Sequence, residues 1–326
     1  MSELIEGTIL VVTDHTGDDE HGYVLTEASK RLLTATREIA GGDIVALALN
    51  SAPDVAALAA QGVTRIIAAR LGRFSPRVPG IVADCVVAAA RECDPEAILN
   101  VSNARGHDVA GQVAVLLGTG ASVDVSSLRI TQSRLLASKS VLDGQWETEF
   151  HVSGGVPVIA LRTAGLVAAD APEPTTPEVE HLSVSFREAS KAVAVKSSRT
   201  EDHTVSLTDA PVVVCGGRGT QGDFTLVNQL AERLGGAVGA TRVATEEGWI
   251  DRAAQVGQSG VAIAPNLYIG LGISGDIHHV SGIRGAQTIV AVCDDAEAAI
   301  FELADFGVVG DINVVIPQAL SALDGQ

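Results

Sequence analysis

The chain reads as an α/β protein built from two doubly wound domains, and three observations predict this. Apolar segments of strand length alternate with segments of helical periodicity along most of its 326 residues. The composition is 46% hydrophobic but only 3% aromatic, with 34 glycines, which suits parallel strands that are apolar on both faces. A polar stretch rich in Ser, Thr and charge at 191–209 interrupts the alternation, which resumes at Pro211. The expected domains are therefore an N-terminal one over 1–200 and a C-terminal one over 201–326.

In the first domain, 8–13 (TILVVT) reads as a strand and 24–39 as a helix stopped by Gly41 and Gly42. Strands follow at 43–49, 65–69 and 97–101, separated by helices at 53–60, 80–93 and 108–117. The pattern then turns antiparallel, because 123–142 and 146–152 flank Asp143-Gly144, a strong short-range hairpin signal. An apolar strand at 157–161, a proline-rich loop at 171–177 and an edge strand at 178–185 complete the domain. The second domain opens with a strand at 212–215, the turn Gly216-Gly217-Arg218-Gly219 and a helix at 223–234. Apolar runs at 261–264, 267–271, 288–292 and 307–309 predict further strands, and a last helix is expected near 317–323.

A net charge of −18 argues against binding nucleic-acid phosphates but leaves room for one local positive pocket. No apolar run approaches the roughly 20 residues of a membrane span, so the chain is not expected to be membrane-embedded. Its acidic N-terminus resembles neither a secretory signal nor a transit peptide, and a cytoplasmic protein is expected. Cys85, Cys93, Cys215 and Cys293 lack CxxC spacing and read as small buried hydrophobes.

The candidate chemistry lies in the second domain. Gly272 and Gly275 bracket Ser274 in a strand–turn–helix arrangement that presents free N–H groups to an anion. Arg218, on a glycine turn before a helix, reads either as a phosphate clamp or as a solvated arginine. Arg242 follows an apolar strand and is expected to be buried or half-buried, which requires an anionic partner: Glu246, Glu247 or a ligand. Gln255, Gln258 and Ser259 return on the same segment. Neighbours on a helix point about 100° apart, so His278 and His279 are not expected to share a metal. One should face a pocket and the other solvent or core. No zinc spacing, P-loop or nucleophile elbow occurs.

Five segments add a more specific signal: GGRG at 216–219, VGATR at 238–242, QVGQSG at 255–260, LYIGLGISGDIHH at 267–279 and ADFGVVGD at 304–311. In order and spacing they resemble the alpha subunit of electron transfer flavoprotein, and ILNVSNARGHDVAGQVAVLLG in the first domain is similar as well. The resemblance implies one FAD in the C-terminal domain and a heterodimer with a beta subunit contacting mainly the N-terminal domain. It also implies electron flow from flavin dehydrogenases to a downstream oxidoreductase. By position it places Arg218 at the FAD pyrophosphate and Ser274 on a phosphate oxygen. Arg242 falls over the flavin near N5 and C4=O, Ser259 at N5, Gln258 at the ring system and His279 at C2=O. Cys293 and Asp311 fall at the adenosine half.

A cation about 4 Å from the charge of a reduced flavin contributes about 4 kcal/mol at an effective dielectric near 20. Arg242 and His279 are therefore expected to tune the potential. Four positions depart from the family pattern: His278 for Gln, Cys293 for Asn, Ser259 for Thr and Thr241 for Ser. The last two keep a hydroxyl. His278 adds a titrating group, and Cys293 is a weak donor. An electron-bifurcating complex, with a second flavin in the beta subunit, is one rival reading. A nucleotide-binding protein of the same fold without redox function is the other.

Overall fold

The computed structural model describes residues 4–132, 134–142, 146–193, 207 and 210–324. It divides into two units, Met1–Arg199 and Thr200–Gln326. Asp143-Gly144 and most of the polar stretch at 191–209 lie outside the described residues.

In the first unit, β1 (Ile9–Thr13) is followed by a hairpin of β2 (His15–Asp18) and β3 (Gly22–Leu25), then helix α1 (Glu27–Arg37). Next come β4 (Ile44–Ala48), α2 (Val55–Ala60), β5 (Arg65–Arg70), α3 (Pro79–Cys93), β6 (Ala97–Val101) and α4 (Ala104–Leu117). The unit closes with β7 (Ala121–Val125), β8 (Ser127–Thr131), β9 (Arg134–Val141), β10 (Trp146–Phe150), β11 (Val158–Leu161), β12 (Glu178–Ser183) and α5 (Glu188–Lys191). Seven strands form one parallel sheet in the order β12-β5-β4-β1-β6-β11-β7.

Every residue of β1, β4 and β6 is buried, as strands apolar on both faces require, and Thr13 and Asn100 are buried with them. Alternate residues serve opposite faces. Leu10, Val12, Val45 and Leu47 pack with Ile81 and Val86 of α3, while Ile9, Val11 and Ile44 pack with Leu32 and Leu33 of α1. The antiparallel excursion is a three-stranded sheet, β10-β9-β8, with Trp146 opposite Val141 across the expected turn. The β2–β3 hairpin occupies residues partly assigned by pattern to the first helix. That helix starts only at Glu27, where Thr26 Oγ1 accepts a hydrogen bond from the Ser29 N–H at 3.3 Å.

The second unit runs β13 (Val212–Gly216), a 3₁₀ turn (Arg218–Thr220), α6 (Thr225–Arg233), β14 (Ala237–Ala240) and the short α7 (Arg242–Glu246). It continues with β15 (Leu267–Leu271), α8 (Ile277–Ile283), β16 (Thr288–Cys293), β17 (Phe306–Val309) and α9 (Ile312–Asp324). Its five strands are parallel, in the order β14-β13-β15-β16-β17. The run at 261–264 is not one of them. Val261 makes an isolated bridge to Val256, and Ile263 N–H donates to the Gly282 carbonyl at 2.8 Å, so Ile263 and Ala264 are buried beside α8 without the segment joining the sheet.

Candidate functional site

Numbered within the second unit, the strand order is 2-1-3-4-5. The chain leaves the first strand for one edge and returns on the other side, so the loops after β13 and β15 diverge and open a crevice at the carboxyl ends. A cavity of about 580 Å³ lies there. Arg218 and Gly219 reach it from β13, Thr241 and Arg242 from β14, Gly272 and Ser274 from β15, and Cys293 from β16. Its floor is a crossing of two backbones, where Gly219 N–H donates to the Gly272 carbonyl at 2.9 Å. Gly272 has φ +62°, and a Cβ there would stand 2.6 Å from Gly219 Cα. Only glycine permits both the conformation and the approach.

Arg242 opens α7 and its side chain is 59% exposed, which corrects the expectation of a buried or half-buried arginine. The strand ends before it, so the guanidinium reaches the open mouth of the cavity instead of the core. Its Nε donates to Glu246 Oε1 at 2.7 Å, an exposed pair of the kind worth about 0–1 kcal/mol and readily exchanged for an anionic ligand. Arg218 is exposed and has no carboxylate partner among the described residues. Thr241 Oγ1 is buried and finds no hydrogen-bond partner among the described residues, although it stands at the start of α7. Ser259 Oγ accepts from Gln255 Nε2 at 2.8 Å.

Both adjacent histidines line the cavity, in different states. His278 is exposed, and its Nδ1 lies 2.5 Å from Gln258 Oε1. His279 is 5% exposed. Its Nδ1 donates to the Val256 carbonyl at 3.1 Å, which leaves Nε2 to accept from the Tyr268 hydroxyl at 2.7 Å. Burial pushes its pKa down to about 4, so the ring is neutral at pH 7. The expectation that His279 tunes the site as a cation is therefore corrected. Cys293 is buried, and its closest polar partner is Asp294 Oδ1, 3.9 Å from Sγ.

Comparison with known proteins decides the family. The electron transfer flavoprotein domain matches residues 16–186, and the electron transfer flavoprotein FAD-binding domain matches 206–284. An electron transfer flavoprotein subunit alpha of Mycobacterium leprae (strain TN) is 36% identical over 321 residues, covering 97% of this chain and 98% of its own. That of Pseudomonas aeruginosa is 33% identical over 320 residues, covering 97% and 99%. A protein FixB of Clostridium saccharobutylicum is 29% identical over 306 residues, covering 91% and 92%. The chain belongs to the electron transfer flavoprotein alpha subunit family.

Against that family's pattern, Arg218, Thr241, Arg242, Ser259, Gly272, Ser274, His278, His279 and Cys293 meet around one cavity. Gln255, Gln258, Gly275 and Asp311 stand off its lining. Gln255 is buried behind Ser259, and the Gln258 side chain lies against His278. Gly275 has φ +87° and presses on Ile300, while Asp311 Oδ1 accepts from Asn313 N–H at 2.8 Å at the start of α9. Sequence reasoning did not assign Asp276, Asp294 and Asp295 to the site, although they line it too. Asp276 was legible as a helix cap, since its Oδ1 accepts from His278 N–H at 2.9 Å. Asp294 and Asp295 gave no signal beyond following an apolar strand. Among the described residues, no helix is long and apolar enough to cross a membrane.

Proposed function

We propose that residues 201–326 bind FAD and that the chain is the electron-carrying alpha subunit of a heterodimer. Residues 1–200 contact a beta subunit, flavin dehydrogenases supply electrons, and a downstream oxidoreductase receives them in the cytoplasm. The observation that carries the reading is the cavity at the switch point of the second sheet, floored by a glycine crossing and edged by two exposed arginines.

The residues present fit the cofactor. The cavity of about 580 Å³ has the volume of a small-molecule site. The Gly219–Gly272 crossing is a cradle that any Cβ would fill, and Thr241 Oγ1 is a buried polar atom without a partner among the described residues. Arg218 and Ser274 would hold phosphate oxygens, and Arg242, Ser259 and neutral His279 would surround the flavin. Bound FAD supplies the redox chemistry, while the protein supplies position, electrostatics and exclusion of water. Arg242 is the lining cation at the flavin end, so a negative charge there is stabilised by it.

The test is co-expression with an electron transfer flavoprotein beta subunit. A folded heterodimer should carry one FAD, visible by its flavin absorption. A colourless heterodimer that takes up no added FAD overturns the reading.

A further inference from the structure

Behind one wall of the cavity a hydroxyl, an amide and a second hydroxyl stand in line. Thr245 Oγ1 lies 2.8 Å from Gln255 Oε1, and Gln255 Nε2 lies 2.8 Å from Ser259 Oγ. Thr245 Oγ1 also lies 2.9 Å from the Arg242 carbonyl. One hydroxyl proton thus faces two acceptors, and it serves one at a time.

Two arrangements satisfy this geometry. In the first, Thr245 donates to Gln255 Oε1, Gln255 Nε2 donates to Ser259 Oγ, and the Ser259 proton is free to point into the cavity. In the second, Thr245 donates to the Arg242 carbonyl and the Gln255 amide is turned over. Its Nε2 then donates to Thr245 Oγ1, its Oε1 accepts from Ser259, and Ser259 offers the cavity only lone pairs. Amide nitrogen and oxygen are nearly the same size, so the inversion requires no repacking. Gln255 is 3% exposed, so solvent does not replace either partner.

We propose that Gln255 is a positioning residue whose amide inverts with the redox state of the cofactor, switching Ser259 between hydrogen-bond donor and acceptor. The inference rests on the FAD reading above. A flavin ring nitrogen accepts a hydrogen bond when oxidised and donates one when reduced and protonated, so a fixed hydroxyl would suit one state only. The relay suits both. No bond is made or broken within it: the hydroxyls rotate, the amide turns over, and no net proton is carried. Ser259 is the residue that faces the cavity, and Gln255 and Thr245 act through it.

Redox-difference infrared spectroscopy on the FAD-loaded heterodimer, with isotope-labelled glutamine, reads the amide directly. A glutamine side-chain carbonyl band should shift between the oxidised and reduced protein. It should disappear in Gln255→Met and stop shifting in Ser259→Ala. The affinity of Gln255→Met for oxidised FAD should fall about fivefold, the equivalent of one hydrogen bond near 1 kcal/mol. Ser259 is exposed, so Ser259→Ala carries the test alone if the buried substitution fails to fold. A band that is static across the redox change, or that shifts equally in Ser259→Ala, overturns the inference while leaving FAD binding intact. A protein that binds no FAD sinks both.

Discussion

The two units share a parallel, doubly wound sheet and each opens a cavity at its strand ends, yet the cavities are finished differently. The one in the first unit, near the ends of β1, β4 and β5, is the larger, about 850 Å³ against about 580 Å³. Its carboxylates are already matched: Asp14 pairs with Arg105, Asp18 accepts from His21, and Asp19 accepts from Tyr23. Its Gly72, at φ +59°, has open space where a Cβ would go. Exposed arginines line both, Arg70 and Arg77 in the first and Arg218 and Arg242 in the second, and each holds buried polar atoms without a partner among the described residues, the His15 ring nitrogens and Thr241 Oγ1, but the smaller cavity alone has a backbone crossing for a floor. The fold is common to both, and the glycine floor separates them.

The largest expected contrast is between two glycines of similar conformation. Gly72→Ala should cost about 1 kcal/mol, the ordinary penalty of a left-handed residue bearing a Cβ. Gly272→Ala meets that penalty and also sets a Cβ 2.6 Å from Gly219 Cα, so roughly 3 kcal/mol or more is expected. Urea denaturation of the full chain measures both. Equal costs would remove the crossing as a constraint specific to the second unit.

Histidine provides the next contrast. Burial lowers the pKa of both His15 and His279, but the ring nitrogens of His15 are buried without partners among the described residues, while both of those of His279 are bonded. A histidine depressed in the folded state is protonated first in the unfolded chain. Stability therefore rises with pH across the window between the two values and is lost as pH falls through it. For His279 the window runs from 6.5 down to about 4, and the loss is on the order of 3 kcal/mol. The stability of the second unit, followed by Trp249 fluorescence, should fall between pH 7 and 4.5, and His279→Gln should flatten that slope. An unchanged slope in the variant would assign the acid sensitivity elsewhere.

How much of this was legible follows the chemistry of each segment. Runs such as 9–13 and 267–271, apolar almost throughout, announced buried parallel strands, and the glycine turns after β13 and β15 announced strand–turn–helix corners able to receive an anion. The β2–β3 hairpin stayed hidden because His15, Thr16, Gly17 and Asp18 carry no apolar alternation, being half-buried or exposed. The run at 261–264 misled for the opposite reason, since an apolar segment packed beside a helix looks like one buried in a sheet. At the site, residue types were readable but exposure and charge were not. The solvent position of Arg242 depends on where helix α7 begins, and the neutrality of His279 on a burial that outweighs its hydrogen bond to the Val256 carbonyl, neither of which sequence spacing alone reveals.

Two arginines set the smallest effect on stability against a large one on binding. Arg105 pairs with Asp14 in the first unit, with side chains 26% and 23% exposed. Arg105→Ala strands a largely buried carboxylate and should cost about 1–3 kcal/mol. Arg242 is 59% exposed, and its pair with Glu246 is solvent-screened, so Arg242→Ala should change stability by less than about 0.5 kcal/mol. Its effect should appear with cofactor present: FAD affinity falling about tenfold, or about 1.4 kcal/mol, and a lower flavin reduction potential. A structural arginine lowers the melting point and leaves the potential alone; a cofactor arginine does the reverse. If Arg242→Ala instead melts early with an unshifted potential, then Glu246 is its true partner and the second cavity is matched internally like the first.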